Sequence, residues 1–181
     1  PSCAMTAPWN RSQPPIDCKG ASKLIASLPR YCAQASHVQP VICIADSDRA
    51  CPVAWLAQRL PRGLPERMVL RLAVTEAESW LLADHDGFSK AFKVPAKVLP
   101  RQPDDVVDPK SVVLTLARRS RVREIHTEVA SRIDPNRRGV GYNQHLRTFV
   151  EKAWSARRAA TRSPSLARAV RRLESWRPAV V

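Results

Sequence analysis

The sequence is short of glycine, of acid and of aromatic side chains. It has 5 glycines in 181 residues. The one close pair, Gly139-Val140-Gly141, lacks the Lys-Ser/Thr of a P-loop and the third glycine of a dinucleotide-binding fingerprint. No apolar run approaches the roughly 20 residues that span a bilayer. Residues 1–20 carry prolines and polar breaks where a secretory signal has its apolar stretch. Cys3, Cys18, Cys32, Cys43 and Cys51 include no C-x-x-C pair and no zinc pattern with histidine. An odd count without a framework predicts a reducing, cytoplasmic setting. His37, His85, His126 and His145 are scattered, with no spacing that pairs two as ligands. No Ser-His-Asp or Cys-His arrangement stands out, and Ser47 lies between two aspartates, outside any nucleophile elbow.

Acids number 16 against 30 Lys and Arg, giving a net charge of +14. The excess is uneven. Residues 1–100 hold 12 basic and 8 acidic residues, hence +4; residues 101–181 hold 18 and 8, hence +10. A basic half points to a polyanion, and nucleic acid is the usual one. The competing reading is a generally basic, solvated surface. Arg118, Arg119, Arg137 and Arg138 are the residues expected to meet phosphate, because the arginine fork matches two of its oxygens. Hydrophobic residues make up 44% of the chain, enough for a packed core.

What is present is concentrated at Val41-Ile42-Cys43-Ile44-Ala45-Asp46-Ser47-Asp48. A short β-branched run behind Pro40 reads as a buried strand. It ends in two carboxylates spaced i, i+2, which alternation sends to one side. Ligands of open α/β sheets bind at the carboxyl ends of strands. Hard oxygens there suit Mg2+ or Mn2+. The alternative is that Asp46 or Asp48 caps the following helix. Met68 to Val74 is a second apolar run and it too ends in acids, at Glu76 and Glu78. A helix over Pro52–Leu60 between the runs predicts a βαβ unit, hence parallel strands with a right-handed crossover. Asp46, Asp48, Glu76 and Glu78 would then rise at one sheet edge. Their mutual repulsion raises their pKa values and a divalent cation relieves it. The bland reading of Glu76 and Glu78 is dipole compensation in a first helical turn, with Thr75 capping and Glu78 closing a capping box.

The rest reads as an irregular segment over residues 1–20, a helix over Ala21–Ala35 with Pro29 inside it, and a helix after Thr75 that Gly87 ends. A turn covers Phe88–Phe92, and a proline-rich connection covers 93–108. Basic helices follow over Ser111–Ser120, Val122–Ile133, Asn143–Ala159 and Ser165–Trp176. Trp80 reads as packing and Asp84 as a surface acid. The division expected is residues 1–20, an α/β core over 21–100, and a basic helical part over 101–181 belonging to the same domain.

Asp46-x-Asp48 after a strand, then a helix and a second strand with a glutamate, resembles the Toprim fold of topoisomerases, primases and OLD-type nucleases. More closely, the chain resembles the bacterial family called domain of unknown function 4276. The matching pieces are Ile44–Asp48, the run from Arg71 to Asp84, Asp108-Pro109-Lys110, Gly141-Tyr142-Asn143 and Ser163-Pro164-Ser165-Leu166. They span residues 40–175. The resemblance implies a Toprim-like parallel sheet flanked by helices, with Asp46 and Asp48 holding Mg2+, Glu76 or Glu78 aiding, and these four acids as the catalytic set. It implies a nuclease acting on phosphodiesters, and an ATPase partner in anti-phage defence. Toprim proteins also carry a catalytic glutamate on an N-terminal strand. Residues 1–20 contain no glutamate, and that departure supports a second reading: a non-catalytic partner subunit with a degenerate site.

Overall fold

The computed structural model describes residues 15–18, 20–47, 51–60, 62–74, 76–134 and 136–178. They form a mixed α/β protein, 57% helical, with a two-stranded parallel sheet. The chain divides into two compact units, one of residues 1–74 with 168–181 and one of residues 75–167. The sequence-based division at 100/101 followed composition; the division by packing falls at 74/75 and again at 167/168.

In the first unit, α1 (Ala21–His37) buries Leu24, Leu28, Tyr31 and Ala35. Their spacing of four, three and four residues makes one apolar stripe. Pro29 sits inside α1 without ending it, because the stripe continues on both sides of the missing N–H. Strand β1 (Val41–Asp46) and strand β2 (Met68–Ala73) pair in parallel, Val41 with Met68 through Asp46 with Ala73. Helix α2 (Pro52–Arg59) lies between them in sequence, with proline in its first turn. The expected strand–helix–strand order and the parallel pairing are thus present. A lone parallel pair is marginal in water. Here Cys43, Ala45, Met68 and Leu70 join the α1 stripe and Trp55 in one buried cluster. The opposite face, with Ile44 54% exposed, is the one that Asp46 shares by alternation.

The second unit is helical: α3 (Ala77–Ala83), α4 (His85–Phe92), α5 (Pro109–Arg118), α6 (Arg123–Glu128), α7 (Tyr142–Lys152) and α8 (Ala156–Ala160). Helix α9 (Pro164–Ser175) begins in this unit and ends in the first. Phe88 and Phe92 stack at 4.0 Å, and Phe149 meets both edge-on at 5.5 and 5.8 Å. These rings sit in a core with Leu82, Val113, Leu114, Leu116, Val129 and Tyr142.

Several expectations are corrected here. Gly87 does not end a helix; it lies in the first turn of α4. The break comes at Asp84, whose carboxylate accepts from the Gly87 amide and caps α4. A Cβ at Gly87 would run into that carboxylate. The single helix expected over Asn143–Ala159 is two, because the Ser155 amide donates to Asp84 Oδ2 at 2.8 Å and Ser155 caps α8. The helix expected over Val122–Ile133 stops at Glu128. The chain then turns, and Ala130 bridges Arg138 in antiparallel fashion. Gly139 is obligatory in that turn: its amide donates to the Val129 carbonyl, and a Cβ there would strike the Glu128 carbonyl.

Candidate functional site

Asp46 closes β1 beside Ala73, and the next amide, Ser47 N–H, donates to the Ala73 carbonyl at 2.9 Å. The carboxyl ends of the two strands are therefore level. Asp46 is half-buried. Ser47 is 2% exposed, and its hydroxyl finds no hydrogen-bond partner among the described residues. Asp48 lies outside the described residues, so its expected alignment with Asp46 does too.

Glu76 and Glu78 belong to the second unit. The four acids expected at one sheet edge are thus divided between two units. Thr75, the expected cap, lies outside the described residues. Helix α3 begins after Glu76, which occupies the N-cap position without a side-chain cap bond. Its carboxylate is taken elsewhere: Oε2 accepts from the Lys110 amide at 3.2 Å, in the first turn of α5. Burial, then the charge of Glu78, raises the Glu76 pKa above the ordinary carboxylate range; the Lys110 N–H opposes this, and Asp108 adds to it. The capping box expected between Thr75 and Glu78 lies outside the described residues with Thr75, but Glu78 has another partner. Its Oε1 accepts a 2.7 Å hydrogen bond from the Tyr142 hydroxyl. Burial and the Glu78 charge hold that hydroxyl protonated far above its usual range, so Tyr142 is a committed donor. Arg138 stands over the Tyr142 ring at 5.6 Å.

These carboxylates are hard oxygen donors of the type Mg2+ takes. Glu76 and Glu78 each have one oxygen engaged by a donor of the protein. The donor set therefore fits a hard divalent cation in chemistry. Among the described residues, no three His, Cys, Asp or Glu side chains group closely enough to hold one.

The cationic residues divide as well. Arg118 donates to Thr115 at 3.4 Å and lines a shallow pocket with His126, Thr127, Ser131 and Arg132. Arg119 is the exposed C-cap of α5. Arg137 pairs with Asp134 at 3.2 Å on an exposed turn. Arg138 belongs to the Glu78–Tyr142 group instead.

Asp84 overturns its reading as a surface acid. It is fully buried and receives Arg158 through two 2.7 Å bonds, besides the Gly87 and Ser155 amides. In the sequence Arg158 reads as half of the basic Arg157-Arg158 doublet, and nothing there pairs it with Asp84. The available signal was Asp84 three residues ahead of Gly87, an N-cap pattern. Trp80 is buried as expected, its indole N–H on Ser165 at 2.8 Å. The sequence pieces quoted above thus meet one another: Glu76 with Lys110, Glu78 with Tyr142, Trp80 with Ser165.

Among the described residues no helix is long and apolar enough to cross a membrane. No family model, curated protein or solved structure matches the chain.

Proposed function

We propose that the chain is a Toprim-like, Mg2+-dependent protein acting on nucleic-acid phosphodiesters. The observation that carries this reading is Asp46, closing one strand of a level parallel pair at its carboxyl end. Asp46 and Asp48 would hold the cation. Glu76 belongs to the second unit, and its variant tests its role separately. A bound Mg2+ supplies charge stabilisation for phosphoryl chemistry. The chain's own contribution is positional. The β1–β2 ladder fixes the backbone that carries Asp46. Lys110 and Tyr142 orient Glu76 and Glu78. With its raised pKa, Glu76 is suited to exchanging a proton nearer neutral pH than an ordinary glutamate. Arg118, Arg119, Arg137 and Arg138 would hold the polyanion. The resemblance to a domain family of unknown function with an anti-phage role belongs to this reading as well.

One observation favours the second reading, a non-catalytic partner of an ATPase: Glu76 and Glu78 each give an oxygen to a donor of the protein. A cleavage assay separates the two. Wild type, Asp46→Asn and Glu76→Gln are incubated with plasmid and single-stranded DNA and RNA, with Mg2+ or Mn2+. The enzyme reading predicts metal-dependent cleavage that Asp46→Asn abolishes while the fold persists. Absence of cleavage in wild type, with ATPase binding retained in Asp46→Asn, would establish the partner reading instead. Replacing Arg137 and Arg138 together by Ala should weaken nucleic-acid binding and flatten its salt dependence by about one to two phosphate contacts.

A further inference from the structure

Three arginines of the first unit stand apart from the cationic residues discussed so far. Arg71 is paired in register with Ile44, as Asp46 is with Ala73. Paired residues of parallel strands share a face, so Arg71 stands on the face that carries Ile44 and Asp46. Arg67 directly precedes β2, and its carbonyl accepts from the Val41 amide at 2.9 Å. The other face is occupied by the Cys43, Ala45, Met68 and Leu70 cluster.

The donors on these arginines are unusually idle. Nε and Nη1 of Arg67 and Nε of Arg71 are buried, and none finds an acceptor among the described residues. Arg71 Nη1 donates only to the neighbouring Leu70 carbonyl, at 3.1 Å. A buried guanidinium N–H left unpaired is expensive, and such groups in a native fold ask for an explanation. Arg172, an exposed residue of the last turn of α9, adds to the problem. Its charge, after burial, depresses the proton affinity of Arg71. Buried guanidinium N–H donors that find no acceptor among the described residues, on a strand that also feels the charge of Arg172, are complementary to an oxyanion. A phosphate matches best, because its oxygens fit the planar arginine fork.

We propose that Arg71, Arg172 and Arg67 form a phosphate-binding site for a nucleic-acid backbone, on the sheet face that bears Asp46. The identity of the anion rests on the phosphodiester reading above; the open donors of Arg67 and Arg71 do not.

The test is fluorescence anisotropy with a fluorescein-labelled single-stranded DNA, in EDTA so that no metal takes part, over a series of salt concentrations. Arg71→Gln and Arg172→Gln are compared with wild type and with Arg101→Gln, which removes an equal charge from an exposed position of the second unit. The expected result is binding weakened roughly ten- to a hundredfold in the two site variants. The salt slope should become shallower by about one in each, and Arg101→Gln should change little. Arg172 is exposed, so its variant carries the test if Arg71→Gln fails to fold. Equal weakening by Arg101→Gln would overturn the site in favour of diffuse attraction. Binding of inorganic phosphate without binding of DNA would overturn the nucleic-acid assignment. Arginine-dependent binding in a protein that cleaves nothing would support the site while removing the phosphodiesterase reading.

Discussion

The two units handle polar groups in opposite ways. The second unit encloses its charge and satisfies it. Asp84 is buried to nothing, yet four hydrogen bonds from Gly87, Ser155 and Arg158 surround it. Glu76, Glu78, Trp80 and Tyr142 all have partners. In the first unit, buried N–H groups on Arg67 and Arg71, and a buried hydroxyl on Ser47, find no partner among the described residues. A saturated network specifies a structure, and removing one member strands the rest. Among the described residues, those donors on the sheet face stay open to an acceptor. The second unit's buried polar residues therefore hold structure, its exposed arginines aside, while the first unit's sheet face offers open donors.

The largest expected effect breaks the second unit. Arg158→Ala leaves the Asp84 carboxylate buried and unpaired. Because the Arg158 side chain is 44% exposed, the loss should sit near the low end for such pairs, about 3 kcal/mol in urea unfolding. Hydrogen exchange should show α3, α4 and α8 opening while the β1–β2 amides stay protected. Leu28→Ala is the mirror experiment. It removes a side chain 1% exposed in the first unit's core and should destabilise by about 3 kcal/mol, with the β1–β2 amides exposed first. If either variant opened both units equally, the division drawn here would fail.

Gly87→Ala should destabilise by about 1–3 kcal/mol, since the added methyl competes with the Asp84 carboxylate for the same space. Gly63→Ala makes the comparison clean. Gly63 has no atom near its Cβ direction, but its φ of 76° brings a purely conformational penalty of about 1 kcal/mol.

A smaller effect concerns pH. Folding raises the Glu76 pKa, so the folded state holds its proton more tightly than the unfolded chain. That contribution to stability is complete below the ordinary glutamate range and is lost as pH rises through the folded value. Glu76→Gln keeps an oxygen for the Lys110 amide and removes the charge. Melting temperature followed from pH 4 upward, on the order of the ordinary glutamate pKa, should therefore fall less in the variant than in wild type. Parallel curves would show that Glu76 is not the group responsible.

The smallest test leaves stability alone. Cys51 is exposed, and the Ala54 and Val53 amides at the start of α2 lower its pKa. Burial pushes Cys43 up to about 11. A thiol reagent at neutral pH should modify Cys51 well before Cys43 in the folded protein, with the order read by mass spectrometry of peptides.

Periodicity and composition were strong guides in the first unit. The α1 stripe, the two apolar runs and Pro52 at a helix start were all legible, as was the parallel pairing. They depend on local pattern and on one topological rule. The second unit was read less well because its helix ends depend on long-range polar contacts. Asp84 breaks α3 from α4 and, across 71 residues, α7 from α8. No window centred on Asn143–Ala159 contains that information. Glu76 and Glu78 looked like first-turn acids; their partners Lys110 and Tyr142 lie 34 and 64 residues away. Arg71 read as one polar residue inside a strand. Its significance lies in what surrounds it, and that comes from Arg172 at the far end of the chain.

The most direct test of the account is a calorimetric titration of Mg2+ and Mn2+ into wild type, Asp46→Asn and Glu76→Gln at fixed salt. The account predicts binding in wild type that disappears in Asp46→Asn, with the unfolding transition kept. No binding to wild type, or undiminished binding to Asp46→Asn, would contradict it.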